Sequence, residues 1–199
     1  MPRLYFKYGT MGSSKSATAL MTRFNYIEKG YNVLLLKPLI DDRNGKYVAS
    51  RIGLKVEAYQ FDKDTDMKQL LEEENEKLFK EKKEIYDVII VDEAHFLTQL
   101  QVDALKKISD FELPVMCFGL KTNYALKLFE GSKRLLELSD SITEIKSICK
   151  CGKKATVNGR IVEGKIIKEI MGDSDIDIGG DDKYIGMCYK CWQGDVHYI

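Results

Sequence analysis

Residues 3–27, "RLYFKYGTMGSSKSATALMTRFNYI", place a β-rich segment, a glycine-containing loop and a helical pattern in direct succession. The first six residues favour a strand, and apolar residues recur at helical spacing from Ala17 to Ile27. The loop between them, 9–16, nearly matches the phosphate-binding pattern G-x-x-x-x-G-K-[ST], with Ser14 at the second glycine position. A loop that opens a helix presents backbone N–H groups and the positive end of the helix dipole to an anion. The stretch therefore predicts an α/β nucleotide-binding fold.

This loop is the candidate ATP site. Lys15 would reach the β- and γ-phosphates, and the Ser16 hydroxyl would ligate Mg²⁺. Ser14 carries a Cβ, which costs free energy if the backbone φ is positive there. The alternative interpretation is a serine-rich turn that binds no ligand. The candidate ATP-binding residues of the loop are Gly9, Thr10, Met11, Gly12, Ser13, Ser14, Lys15 and Ser16.

A second candidate motif, "DVIIVDEAHF" (87–96), reads as a buried strand that ends in carboxylates. Asp92 would hold Mg²⁺ through water, and Glu93 would accept a proton from an attacking hydroxyl. The alternative is a helix N-cap with an acidic first turn. The letters "DEAH" also match a helicase motif, but 199 residues leave no room for a second motor domain. His95 is then expected to be a core or hydrogen-bonding residue.

The remaining pattern up to about residue 147 alternates short apolar strands with amphipathic helices. "NVLLLK" (32–37) and "PVMCFGL" (114–120) have strand length, and helices are indicated over 67–78 and 99–108. This alternation predicts a parallel sheet with helices on both faces, in a nucleotide-binding domain of residues 1–147. The polar segment "PLIDDRNGKYVASRIG" (38–53) is predicted to be a loop of functional size.

The C-terminal part, residues 148–199, changes to cysteines, glycines and short β-like pieces, which predicts a separate small domain. Two cysteine pairs about 37 residues apart there match a tetrahedral zinc site with a structural role. The candidate ligands are Cys149, Cys151, Cys188 and Cys191. The first pair is one residue shorter than C-x-x-C, so His197 is an alternative ligand, and free thiols or a disulfide are alternatives to a metal. Cys117 is predicted to be a buried core thiol.

Bulk composition describes an ordinary globular chain. Lys+Arg and Asp+Glu both total 31, so no net charge recruits nucleic acid or an anionic membrane. No apolar run approaches the ~18–20 residues that a membrane span needs, and no signal peptide is evident at the start. We therefore expect a cytoplasmic protein that binds neither nucleic acid nor membrane.

Taken together, the motifs resemble those of one family along essentially the whole chain. In order they are the loop of 9–16, "LLLKPLIDDR", "VIIVDEAHF", "FGLKTNY…LF", the paired cysteines and "GGDDKY". The chain is similar to the zinc-containing, tetrameric class of thymidine kinases. The resemblance implies a P-loop parallel sheet of the recombinase-like type, followed by a small zinc-binding lasso domain.

The resemblance also implies an activity and its partners. The γ-phosphate of ATP, bound with Mg²⁺, would pass to the 5′-hydroxyl of thymidine and give dTMP. Glu93 would be the general base, and Asp41 and Arg43 would lie near the phosphates and the metal. A homotetramer, a structural Zn²⁺ and feedback inhibition by dTTP are implied in the same way.

The nucleoside pocket is implied by the resemblance alone. Aromatic side chains would line the thymine, and the lasso backbone would hydrogen-bond the base while a tyrosine packs on the nucleoside. Flat rings and fixed backbone groups suit a neutral pyrimidine. Core packing of the aromatics and a simple polar turn in the lasso are the alternatives. The candidate residues are Phe96, Tyr124, Phe129, Ile176, Ile178, Gly179, Gly180 and Tyr184.

The chain departs from the family pattern at Ser14, at His95 (more often Gln), at Lys121 (usually acidic) and in the shortened first cysteine pair. The alternative function is a non-catalytic module that binds ATP through the loop or nucleic acid through a zinc ribbon. Basic residues near the cysteines would serve the ribbon, but the aspartates that follow cancel their charge.

Overall fold

The computed structural model describes residues 3–163, 165–168 and 184–194. Its first part alternates strands and helices, as the sequence predicts. In chain order these elements are β1 (Leu4–Tyr8), α1 (Lys15–Ile27), β2 (Val33–Pro38), β3 (Tyr47–Ala49), β4 (Lys55–Glu57), β5 (Tyr59–Phe61), α2 (Met67–Lys80), β6 (Val88–Val91), α3 (Gln99–Phe111), β7 (Val115–Gly119), α4 (Glu130–Leu138) and β8 (Ser141–Glu144). A 3₁₀ turn, Ala94–Phe96, follows β6.

Six of these strands form the central sheet in the order β5-β2-β6-β7-β1-β8, and every neighbouring pair is parallel. All four residues of β6 are buried, which is why that strand reads as a continuous apolar run rather than an alternating one. Carboxyl ends of parallel strands share one edge of a sheet. The loops after β1, β2 and β6 therefore meet at the same edge.

Both faces of the sheet are covered. Leu34 and Leu36 of β2 pack with apolar residues of α2, α3 and α4 on one face. Leu35, between them, packs on the other face with Ala19 and Leu20 of α1. Successive strand residues point to opposite faces, so this alternation builds two cores from one strand. The predicted parallel sheet with helices on both faces is confirmed.

The segment 38–53 is more ordered than the sequence analysis predicts. Tyr47–Ala49 pairs antiparallel with Lys55–Glu57, so the expected loop contains the first strand of a hairpin. Lys37 explains part of this order. Its side chain is 1% exposed, and its Nζ donates to the carbonyls of Gly45 (2.9 Å) and Tyr47 (3.2 Å). A buried ammonium needs such acceptors, and the chain folds back to supply them.

The C-terminal part forms small antiparallel sheets beside the main one. Its elements are β9 (Ser147–Ile148), β10 (Lys154–Ala155), β11 (Val157–Val162), β12 (Lys165–Ile167), β13 (Tyr184–Met187) and α5 (Tyr189–Gln193). β11 lies between β12 and β13, and β9 pairs with β10. A separate apolar cluster of Met187, Trp192 and three cysteines lies under these sheets. Within the described ranges, no helix is both long and apolar enough to cross a bilayer.

Candidate active site

The loop between β1 and α1 has the backbone geometry of a phosphate cradle. Gly12 and Ser14 both have positive φ, 74° and 62°, and Ser14 is the N-cap of α1. Gly9 is required sterically, because a Cβ there would lie 2.6 Å from the carbonyl oxygen of Ile145. Lys15 is 7% exposed and its Nζ donates to the Thr10 carbonyl (3.0 Å) across the loop. The loop is thus preformed around its lysine.

Asp92 lies beside the loop, directly after β6. It is 4% exposed, and its Oδ1 has no hydrogen-bond partner among the described residues. Burial raises the pKa of this carboxyl, the charge of Glu93 raises it further, and a hydrogen bond from Ser16 opposes the rise. A buried carboxylate oxygen without a partner is expensive unless a ligand completes it. Together with the Ser16 hydroxyl, this oxygen fits the oxygen ligands that Mg²⁺ prefers.

Glu93 faces the same cavity and is held by arginine. It is 8% exposed, adopts a left-handed backbone conformation (φ 49°), and accepts a hydrogen bond from Arg43 Nη2 at 2.7 Å. Arg43 Nε donates to Asp41 Oδ1 at 2.5 Å, and Asp41 also pairs with Lys37 at 3.2 Å. Burial opposes ionisation of Glu93, but the charges of Lys15 and Arg43 and the hydrogen bond from Arg43 favour the carboxylate, and the pKa of Glu93 is lowered. Glu93 is therefore a carboxylate at neutral pH and can accept a proton.

His95 is a neutral core residue, which confirms the sequence-based expectation. Its Nδ1 accepts the Leu120 N–H at 3.2 Å, so the 3.4 Å contact of Nδ1 with Glu93 Oε2 is not an ion pair. Burial lowers the pKa of His95 to about 4. Its ring packs against Phe96 and Phe129, with centroid distances of 4.1 and 4.6 Å.

Two cavities adjoin this group of residues. The first, about 350 Å³, is lined by the loop, the carboxylates, Arg43 and the β3–β4 hairpin. The second, about 640 Å³ and mostly apolar, is lined by His95, Phe96, Phe129 and neighbouring aliphatic side chains. Glu93 lies in the wall of the first cavity, and His95 two residues later lies in the wall of the second. The cavity beside the loop and the aromatic cavity thus lie on either side of one short segment, Glu93 to His95.

The predicted nucleoside-binding residues fall into three groups. Phe96 and Phe129 lie together, with ring centroids 6.1 Å apart. Tyr124 is 4% exposed and its ring lies 6.1 Å from that of Tyr184. The predicted lasso contacts lie outside the described residues; they are Ile176, Ile178, Gly179 and Gly180.

The four candidate zinc ligands converge. Their Sγ atoms all lie within 4.8 Å of one another, and all five cysteines of the chain are free thiols. Sulfurs bound at ~2.3 Å to a tetrahedral zinc lie roughly 3.8 Å apart, and the Sγ atoms of Cys151 and Cys188 are 3.6 Å apart. The shortened first pair could therefore supply two ligands without His197, which is outside the described residues. Cys117 is fully buried in the main core.

Sequence reasoning missed the contacts between the C-terminal sheets and the phosphate loop. Asn158 Oδ1 accepts the Met11 N–H at 2.8 Å, and the hydroxyls of Thr10 and Ser147 are 2.6 Å apart. A Cβ at Gly186 would lie 2.6 Å from the Met11 carbonyl oxygen. No local signal identifies a single asparagine as such a partner. Lys37, which pairs with Asp41, does have a weak sequence signal, because it is a lone charged residue near the end of an apolar strand.

Comparisons with known proteins identify the family of this chain. The sequence profile of the thymidine kinase family matches residues 2–192. A thymidine kinase of Haemophilus influenzae is 43% identical over 191 residues, which is 94% of each chain. Thymidine kinases of Streptococcus thermophilus and Vibrio cholerae are each 42% identical, over 96% and 94% of this chain and 94% and 95% of theirs.

Among solved structures, a chain described as an ATPase domain is similar over 72% of this chain and 69% of its own, with 14% identity and a TM-score of 0.47. The family match covers nearly the whole chain, including the loop, both carboxylates and all four cysteines. The chain belongs to the thymidine kinase family.

Proposed function

We propose that this protein transfers the γ-phosphate of ATP to the 5′-hydroxyl of thymidine, giving dTMP. The observation that carries the proposal is the position of Glu93. An ionised, buried carboxylate faces the same cavity as the phosphate loop, and the aromatic cavity begins beside it. Phosphoryl transfer needs positioning and charge stabilisation more than covalent chemistry, and these residues provide both.

Each residue has a distinct part in the proposed reaction. The loop amides and Lys15 bind the triphosphate, while Ser16 and Asp92 hold Mg²⁺. Mg²⁺ supplies charge neutralisation on the phosphate oxygens. Glu93 accepts the proton of the 5′-hydroxyl while the 5′-oxygen attacks the γ-phosphorus. Arg43 keeps the Glu93 carboxylate ionised and directed into the cavity.

Thymidine recognition is proposed to use the aromatic side chains near the second cavity. In this proposal Phe96 and Phe129 contact the thymine base, and Tyr124 and Tyr184 line the side of the pocket next to β13. The lasso residues implied by the family resemblance would complete the pocket through their backbone groups. The inhibitor dTTP is proposed because it combines the nucleoside of one substrate with the triphosphate of the other.

The assembly is proposed to be a homotetramer located in the cytoplasm, with no role for nucleic acid or membrane. Three apolar side chains of α1 support an interface between subunits: Met21, Phe24 and Ile27 are 56%, 58% and 43% exposed. Large apolar patches on a surface are typical of protein contacts. A structural Zn²⁺ at the four cysteines is proposed to hold β13 and α5 in place.

The decisive experiment is a coupled assay of the purified protein with Mg-ATP and a panel of nucleosides. We expect thymidine to be the preferred acceptor. Glu93→Gln should lower kcat by about 100- to 10,000-fold, because it removes the base, while ADP affinity stays nearly unchanged. Glu84→Gln, an exposed change on the same protein, is the matched control.

Two results would contradict the proposal. One is an undiminished rate in Glu93→Gln. The other is salt-sensitive binding to DNA or RNA without nucleoside turnover, which would favour the non-catalytic module.

A further inference from the structure

The β3–β4 hairpin covers the phosphate loop, and its tip is well defined. The Ser50 N–H donates to the Leu54 carbonyl at 2.8 Å, and Gly53 takes the positive φ (87°) that closes the turn. Val48 is 2% exposed and belongs to the same core cluster as Ala19 and Leu20 of α1. The tip is therefore anchored through the hairpin to the helix that begins at the loop.

Arg51 occupies this tip and reaches the phosphate loop. Its Nη1 lies 3.6 Å from the position that a Cβ on Gly12 would occupy. Arg51 lines the same cavity as Lys15 and Glu93, although it lies on a different element from either. Its side chain is exposed, so a ligand in the cavity can reach it without displacing a packed core.

The charges around the cavity show why a further cation matters. Among the described residues that line it, the acids are Asp41, Asp92 and Glu93, and the bases are Lys15, Arg43 and Arg51. Arg43 already pairs with two of the acids.

A magnesium-bound triphosphate brings about two further negative charges, and more negative charge moves onto the oxygens between the phosphates during transfer. Lys15 is placed to interact with that negative charge from within the loop, and Arg51 from the tip of the β3–β4 hairpin.

We propose, resting on the kinase function above, that Arg51 is a catalytic residue that stabilises the transferred phosphoryl group and the ADP leaving group. In the step, the 5′-oxygen of the nucleoside bonds to the γ-phosphorus and its proton passes to Glu93. The bond from the γ-phosphorus to the β–γ bridging oxygen breaks, and ADP leaves with that electron pair. The Arg51 guanidinium donates hydrogen bonds to the oxygens on which this charge develops, as an arginine finger does.

The proposal separates two effects of Arg51 that kinetics can measure. Loss of a group that binds ATP equally well in the ground state and the transition state raises KM for ATP alone, whereas loss of one that acts on the developing charge lowers kcat. Arg51→Gln keeps a polar side chain at the tip but removes the charge. Lys55→Gln removes a charge from the same hairpin, at a lysine that packs on the Tyr47 ring (4.4 Å) away from the cavity lining.

The test measures three quantities in wild type and both variants: steady-state thymidine phosphorylation, slow ATP hydrolysis without nucleoside, and ADP affinity. Arg51→Gln should lower kcat by about 100- to 1000-fold, the loss typical of a donor to developing charge. ATP hydrolysis should fall in parallel, and ADP affinity should change by less than about threefold. Lys55→Gln should match the wild type in all three.

Three results would overturn the role of Arg51: a kcat within threefold of wild type, a loss confined to KM for ATP, or equal losses in the two variants. Failure of the wild type to phosphorylate any nucleoside would instead refute the proposed function. In that case the hydrolysis measurements, which need no nucleoside, still decide whether Arg51 acts on phosphoryl transfer.

Discussion

Ser14 gives the phosphate loop a shape that its own side chain disfavours. The residue has φ 62° and ψ 31°, a left-handed conformation that glycine adopts without cost. A Cβ in this conformation costs on the order of 1 kcal/mol. The neighbouring contacts hold the loop in place against that cost, including the Lys15 bond across it.

Replacing Ser14 by glycine should therefore stabilise the protein without harming the site. We expect the free energy of unfolding to rise by up to about 1 kcal/mol, measured by urea denaturation, with kcat unchanged. Ser14→Ala keeps the Cβ and is the matched control, expected to give no gain. Equal stabilities of the glycine and alanine variants would show that the loop is unstrained at this position.

His95 makes stability depend on pH at the centre of the site. Its pKa is lowered to about 4 by burial, below the ordinary value near 6.5 of the unfolded chain. The unfolded state therefore binds a proton first as the pH falls. The stability that the protein gains from keeping His95 neutral is fully present above pH 6.5 and is lost between pH 6.5 and about 4.

Wild-type protein should lose roughly 3 kcal/mol of unfolding free energy through this residue across that range. His95→Gln, which cannot titrate, should show a correspondingly flatter dependence on pH. Urea denaturation of both proteins at several pH values between about 7 and 4.5 measures the difference. Parallel curves would mean that another group is responsible for the acid sensitivity.

At the scale of elements, α1 carries both buried and uncovered apolar residues. Its Ala19 and Leu20 pack under the sheet, while Met21, Phe24 and Ile27 remain exposed. The helical spacing in the sequence predicts the helix correctly, but it does not separate residues that meet the sheet from those that are left uncovered. An apolar surface of this kind is the basis of the proposed subunit interface.

Phe24→Glu should weaken the proposed tetramer, because a charge would be buried against an apolar surface. Light scattering coupled to gel filtration should show smaller species than in wild type at the same concentration. Asn25→Glu, the adjacent exposed position, adds the same charge and is the control. An unchanged mass in Phe24→Glu would exclude this face of α1 from the assembly.

The sequence predicts the elements with strong apolar runs and misses those without them. β2, β6 and β7 are fully or nearly fully buried, and their runs are visible as uninterrupted letters. β8 has no buried residue, and β3 and β4 are three residues long. Pairing of such short strands depends on what packs beside them, which local sequence does not contain.

At the scale of the whole molecule, the phosphate loop is built by both ends of the chain. Asn158 is 3% exposed; it accepts from the Met11 N–H and donates to the Thr122 carbonyl, each at 2.8 Å. The motif pattern identifies the loop, but the Asn158 contact and the Arg43–Glu93 pair join residues 50 or more positions apart. Such pairs follow from the folded arrangement and from no spacing in the sequence.

Asn158→Leu should lower ATP affinity about tenfold with a smaller effect on KM for thymidine, because it leaves the Met11 amide without its acceptor. Isothermal titration with ADP and steady-state kinetics measure the two effects. Asn75→Leu is the control, since Asn75 also accepts a backbone N–H, that of Tyr86, far from the loop. An equal loss of ADP affinity in both variants would show that general destabilisation, and not the lost hydrogen bond to Met11, explains the effect.

The close approach of Gly186 to Met11 has a consequence for synthesis of the protein. The candidate phosphate loop, residues 9–16, is synthesised well before β13, the strand whose Gly186 lies against it. A nascent chain therefore cannot complete this contact until β13 has been made. We accordingly expect chains that stop before β13 to be retained less well on immobilised ATP than chains that include it.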